Sequence, residues 1–75
     1  MTHDDIWSAI EMFAAAHDLT CSALAKLGGL DPTAFNKSKR FSNVGQPRWP
    51  STQSISKILA ATNEKFAAFA QYIND

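Results

Sequence analysis

Cysteine is nearly absent from this sequence. Cys21 is the only one, so an intrachain disulfide is impossible. Histidine is scarce too, and His3 and His17 do not combine with Cys21 at zinc-site spacing, so no metal and no cofactor is expected. No apolar run approaches the ~18 residues that a membrane span needs. The opening Met1-Thr2-His3-Asp4-Asp5 lacks the positive segment and apolar stretch of a signal peptide. These absences predict an intracellular, cytoplasmic protein away from membranes. No segment alternates apolar and polar residues strongly enough to read as a strand. A chain of 75 residues makes one domain, 1–75, with little room for a substrate cavity beside its core.

Net charge is zero, which by itself argues against nucleic acid. Its distribution argues otherwise. Residues 1–31 carry Asp4, Asp5, Glu11, Asp18 and Asp31 against Lys26 alone, whereas 32–63 carry Lys37, Lys39, Arg40, Arg48 and Lys57 with no acid. Such a split can build a positive face on a neutral molecule, although solvated charges also segregate by chance.

What is present is helical periodicity, and it predicts an all-α chain of five short helices. Ile6, Ile10, Phe13 and Ala14 repeat at helical spacing, Thr2 with Asp5 forms a capping-box pattern, and the helix should reach about His17, a residue near the core rather than a ligand. Thr20 can cap a second helix over Cys21–Leu27, with Leu24 and Leu27 inward, and Gly28-Gly29 ends it. Asp31-Pro32 is a restart signal for a third helix from Pro32 to about Lys39. Ser42, Asn43, Gly45, Pro47 and Pro50 mark Phe41–Pro50 as loop. Ser51 or Thr52 caps a fourth helix with Ile55, Ile58, Leu59 and Thr62 on one face. Asn63 can cap a fifth, with Phe66, Phe69, Ala70 and Ile73 on one face.

Two short helices joined by a glycine turn, over about residues 20–40, have the helix-turn-helix layout. Leu24, Ala25, Gly29, Leu30 and Phe35 resemble the lambda-repressor-like (XRE-type) family of that motif. The small Ala25 lets the helices cross, Gly29 permits a left-handed turn, Leu30 follows it, and Phe35 holds the second helix to the core. Gly28 and Ser38 depart from the pattern, where larger apolar residues are usual. The run from Leu30 to Arg40, with Arg48-Trp49-Pro50-Ser51-Thr52, looks like the N-terminal domain of phage-type repressors. Several of those carry a LexA-like self-cleaving serine peptidase domain afterwards. The resemblance therefore implies a compact five-helix fold, a fragment of a longer regulator, a bacterial and nucleoid-associated setting, and a homodimer on a double-stranded operator. It supplies no peptidase serine or lysine here, so no enzyme activity carries over.

With Phe35 set at 0° and about 100° per residue, Thr33, Lys37 and Arg40 fall on the opposite side, and Asn36 on its flank. These four are the expected base contacts, since Asn suits adenine while Lys and Arg suit guanine. Phosphate contacts are expected from Lys39, Arg48 and the helix starts at Thr20-Cys21 and Ser51-Thr52. The bland alternative is a solvated helix face. Trp49 can contact the backbone or fill the core edge, and packing is the commoner fate. The rival function is a helical protein-interaction module, using an apolar groove or the last helix through Ala67, Ala68 and Tyr72. No small-molecule ligand is suggested, and no Ser, Cys or His stands as a nucleophile with its base.

Overall fold

Three of the four α-helices start where a capping side chain and apolar periodicity coincide. The computed structural model describes residues 1–73. Its helices are α1 (His3–Ala16), α2 (Cys21–Leu27), α3 (Thr52–Thr62) and α4 (Phe66–Ala70). Among the described residues, β-type pairing is limited to one isolated antiparallel bridge, Phe41 to Pro47.

The starts follow the sequence signals. Thr2 and Asp5 make a reciprocal capping box on α1, with Asp5 N–H donating to Thr2 Oγ1 at 3.1 Å and Thr2 N–H donating to Asp5 Oδ2 at 2.8 Å. Thr20 accepts from Ala23 N–H at 3.0 Å, and Ser51 accepts from Ser54 N–H at 3.0 Å.

The stops share one geometry. After α2, Leu30 N–H bonds back to Ala25 O and Gly29 N–H to Lys26 O, a Schellman closure with Gly29 at φ 75°. The same pair of bonds closes α1 around Asp18 (φ 58°) and α3 around Asn63 (φ 57°). Asn63 therefore ends α3 instead of starting the last helix. Lys65 takes that start position, with no side-chain cap.

The core gathers one face from each helix. Ile6, Ile10, Phe13 and Ala14 of α1 are buried, together with Trp7 and Ala9. Leu24 and Ala25 of α2, Ile55, Ile58 and Leu59 of α3, and Phe69 of α4 join them. Helix α1 packs on α2 and α4, and α3 packs on the same two helices. A Cβ at Gly28 would sit 3.1 Å from Ile58 Cγ2, so this glycine permits the close approach of α2 to α3. That is why a larger residue is missing there. Two expectations fail on facing: Leu27 is 53% exposed and Phe66 57% exposed. Leu27 is the last residue of α2, and α4 is too short to bury both its phenylalanines.

The expected helix Pro32–Lys39 does not form. Asp31 does receive the Thr33 N–H at 2.8 Å, as a cap should. The chain then runs through i→i+3 bonds, Ala34 N–H to Asp31 O and Asn36 N–H to Thr33 O, and breaks at Asn36, whose ψ of 153° is extended. A 3-10 turn at Lys37–Lys39 follows. Phe35 is the one buried side chain between Asp31 and Arg40. One apolar anchor cannot offset nucleation in a stretch where Thr, Asn and Ser compete for backbone bonds. The described residues thus hold four α-helices and a 3-10 turn rather than five helices. No helix among them is long and apolar enough to cross a membrane.

Candidate nucleic-acid interface

The basic residues between α2 and α3 lie on an irregular segment with a small hairpin. Arg48 N–H donates to Arg40 O at 2.8 Å, and Ser42 N–H donates to Gln46 O at 2.8 Å, on either side of the Phe41–Pro47 bridge. Gly45, at φ 83°, turns the tip, and Ser42 Oγ accepts from Val44 and Gln46 N–H. The pairing brings Arg48 alongside Arg40, although eight residues separate them in sequence.

Most of the expected contact residues are open to solvent. Thr33, Asn36, Lys37, Lys39 and Arg48 are all exposed. Within the described residues, Lys37 and Arg48 side chains make no hydrogen bond or ion pair. Lys39 lies near enough to Asp31 to help lower that carboxyl below its ordinary value, behind the larger effect of the Thr33 hydrogen bonds. Thr33 Oγ1 donates to Asp31 Oδ1 at 2.6 Å, which commits its hydroxyl proton and leaves the oxygen able to accept.

Arg40 departs from the helical-wheel expectation. Its side chain is 13% exposed, and Nη2 donates to Glu11 Oε2 at 3.2 Å and to Phe35 O at 3.3 Å. The guanidinium carbon lies 5.0 Å from the centroid of Trp7. Nε is buried without a hydrogen-bond partner among the described residues. The wheel failed because it assumed one continuous helix across Asn36. The extended Asn36 turns the following residues away from that register, and Arg40 points back at α1.

The helix-start residues are partly committed elsewhere. Thr20 and Ser51 use their hydroxyl oxygens as caps, and Ser51 also donates to Ser54 Oγ at 2.9 Å. Cys21 is half-buried, and burial, followed by the nearby Glu11, pushes its thiol pKa up. Thr52 is exposed. The motif residues behave differently: Ala25 and Phe35 are buried, and Leu30 packs against the core.

Sequence reasoning missed the partners on α1. His3 Nε2 lies 2.8 Å from Arg40 O and 2.9 Å from Arg48 O, and Trp7 Nε1 donates to Arg48 O at 2.9 Å. The His3 ring also lies tilted against Phe41, with centroids 4.9 Å apart, and meets Trp49 edge-on at 6.0 Å. Trp49 thus packs on the hairpin neck while staying 51% exposed. A usable signal did exist, since His3, Trp7 and Glu11 recur every four residues on one face of a helix. His17 instead closes α1, its ring 4.7 Å from Phe13 and Nε2 3.8 Å from Glu64 Oε1.

No group of three His, Cys, Asp or Glu side chains among the described residues could hold a metal ion. No protein-family model, curated protein or solved structure matches the chain.

Proposed function

We propose that this chain binds double-stranded DNA as the DNA-binding domain of a bacterial, lambda-repressor-like transcriptional regulator. The observation that carries the reading is the set of exposed cations, Lys37, Lys39 and Arg48, on a segment with no acid from Pro32 to Asn63. In this reading α2, the Gly29 turn and the 31–40 segment play the part of the helix-turn-helix. Thr33, Asn36 and Lys37 reach base edges, while Lys39 and Arg48 meet phosphates. Arg40 is withdrawn from the base contacts, because its guanidinium is engaged by Trp7 and Glu11. A dimer would match a two-fold operator.

Selection of bound duplexes from a random pool tests this directly. Titration of the selected duplex at several salt concentrations should give a log–log slope of about −2 per protomer if Lys39 and Arg48 each neutralise a phosphate. Lys37→Ala should weaken binding to the selected duplex by about 1–3 kcal/mol while leaving the melting temperature unchanged. Absence of any selected duplex, or salt-independent binding, would sink the reading.

One observation favours a second reading. Trp49 and Phe66, both half-exposed, border an apolar groove of about 400 Å³ that also includes Ile6, Pro50, Ile55 and Ala70. A groove of that character suits a protein partner, as an interaction module would require. Failure to retain DNA at low salt, where phosphate attraction is strongest, would leave this as the surviving account.

A further inference from the structure

We propose that His3, Trp7 and Glu11 of α1 form a positioning stripe that sets the shape of the DNA-facing segment, an inference that rests on the DNA-binding reading above. The stripe grips the segment at both ends of the hairpin neck. Two N–H donors, His3 Nε2 and Trp7 Nε1, meet two carbonyl acceptors, those of Arg40 and Arg48. Carbonyls only accept, so these two His3 contacts are hydrogen bonds in the tautomer with a proton on Nε2; Trp7 Nε1, 3.1 Å from the same nitrogen, then donates to Arg48 O alone. One turn further along, Glu11 holds Arg40 Nη2, and the Trp7 ring lies against the same guanidinium.

The segment needs such an external hold. Between Asp31 and Arg48 it contains no α-helix, and Phe35 is its single buried side chain. The exposed Lys37 and Lys39 sit just before one gripped carbonyl, and Arg48 carries the other. Fixing those two carbonyls fixes where the three cations emerge. Base readout demands that placement, since a contact held loosely loses geometric selectivity. Non-specific phosphate attraction does not demand it, because that term follows charge alone.

The two kinds of binding therefore separate the stripe from an ordinary stabilising contact. Wild type, His3→Ala, His3→Gln and Glu11→Gln should each be titrated with the duplex selected by wild type and with a random-sequence duplex. Thermal unfolding should be recorded alongside. His3→Ala should lose about tenfold affinity for the selected duplex and less than about twofold for the random one. His3→Gln, whose amide N–H can stand where Nε2 stands, should recover most of the loss. If His3→Ala fails to fold, Glu11→Gln gives the reading, since its half-exposed carboxylate is not needed for the core. Equal losses on both duplexes, or no loss for a folded His3→Ala or Glu11→Gln, would overturn the stripe and leave DNA binding intact. A wild-type chain that selects no duplex would remove the DNA-binding reading and the stripe with it.

Discussion

Helix α1 and the segment from Asp31 to Pro50 begin alike and end differently. Both open with an aspartate in a local hydrogen-bonded cap, Asp5 with Thr2 and Asp31 with Thr33. Helix α1 then buries Ile6, Trp7, Ala9, Ile10, Phe13 and Ala14 within fourteen residues. The later segment, longer by six residues, buries Phe35 alone. A cap satisfies the first free N–H groups, but a buried face sustains the helix. Where that face is missing, the chain takes short turns and draws its order from a neighbouring helix.

The comparison breaks most severely at Phe35. Phe35 is 2% exposed and rests against Trp7, with ring centroids 6.4 Å apart. Phe35→Ala should cost about 3–5 kcal/mol in chemical denaturation, since a large aromatic is lost from a closed core. A loss below 1 kcal/mol, on the same scale, would mean that the segment is not anchored there. Gly29→Ala tests the turn that delivers the chain to this segment. An added Cβ meets nothing within 4 Å, so the cost comes from backbone strain at φ 75° alone. About 1–2 kcal/mol is expected, read from the shift in denaturation midpoint. An unchanged midpoint would contradict the left-handed turn.

These contrasts also explain what could be read from the sequence. The starts at Thr2, Thr20 and Ser51, the stop at Gly29, and the core positions Ile10, Leu24, Ala25, Phe35, Ile58 and Phe69 depend on local spacing, and the structure holds them as expected. The third helix was misread because the Asp31-Pro32 signal is local, while the shortage of buried partners appears only in the folded chain. Asn63 was misread because asparagine serves at either end of a helix, by accepting a bond at a start or adopting φ 57° at a stop. Of the candidate site, the exposed Thr33, Asn36, Lys37, Lys39 and Arg48 were legible as a basic polar run. The grip of His3 on Arg40 and Arg48 spans 37 and 45 residues, and no pattern of period four announces its partners.

The helix stops give a milder test of opposite sign. Asp18 and Asn63 hold the same left-handed conformation as Gly29, but each carries a Cβ that resists it. Asn63→Gly relieves the left-handed Cβ clash, worth about 1 kcal/mol, partly offset by the freer unfolded chain, so a slightly higher denaturation midpoint is expected. Asp18→Gly should act in the same direction. A lowered midpoint for both would show that the side chains contribute something beyond filling the turn.

The smallest effect sharpens the comparison of the two caps. Both carboxyls are held below their ordinary pKa of 3.8, Asp5 chiefly by the Thr2 backbone N–H and Asp31 chiefly by the Thr33 hydroxyl. A depressed folded-state pKa means stability that is present at neutral pH and is lost as pH falls below 3.8, through the lowered value. Because both groups face solvent, each contribution is heavily screened. Thr33→Val removes the hydroxyl donor and keeps the backbone one. Carboxyl carbon shifts followed against pH should show Asp31 moving up toward its ordinary value while Asp5 stays in place. If Asp31 did not move, the hydroxyl would not be what holds the carboxyl low. The acid sensitivity of the segment would then originate in Lys39 and the backbone, and the two caps would be chemically alike, so that burial alone separates a helix from a turn.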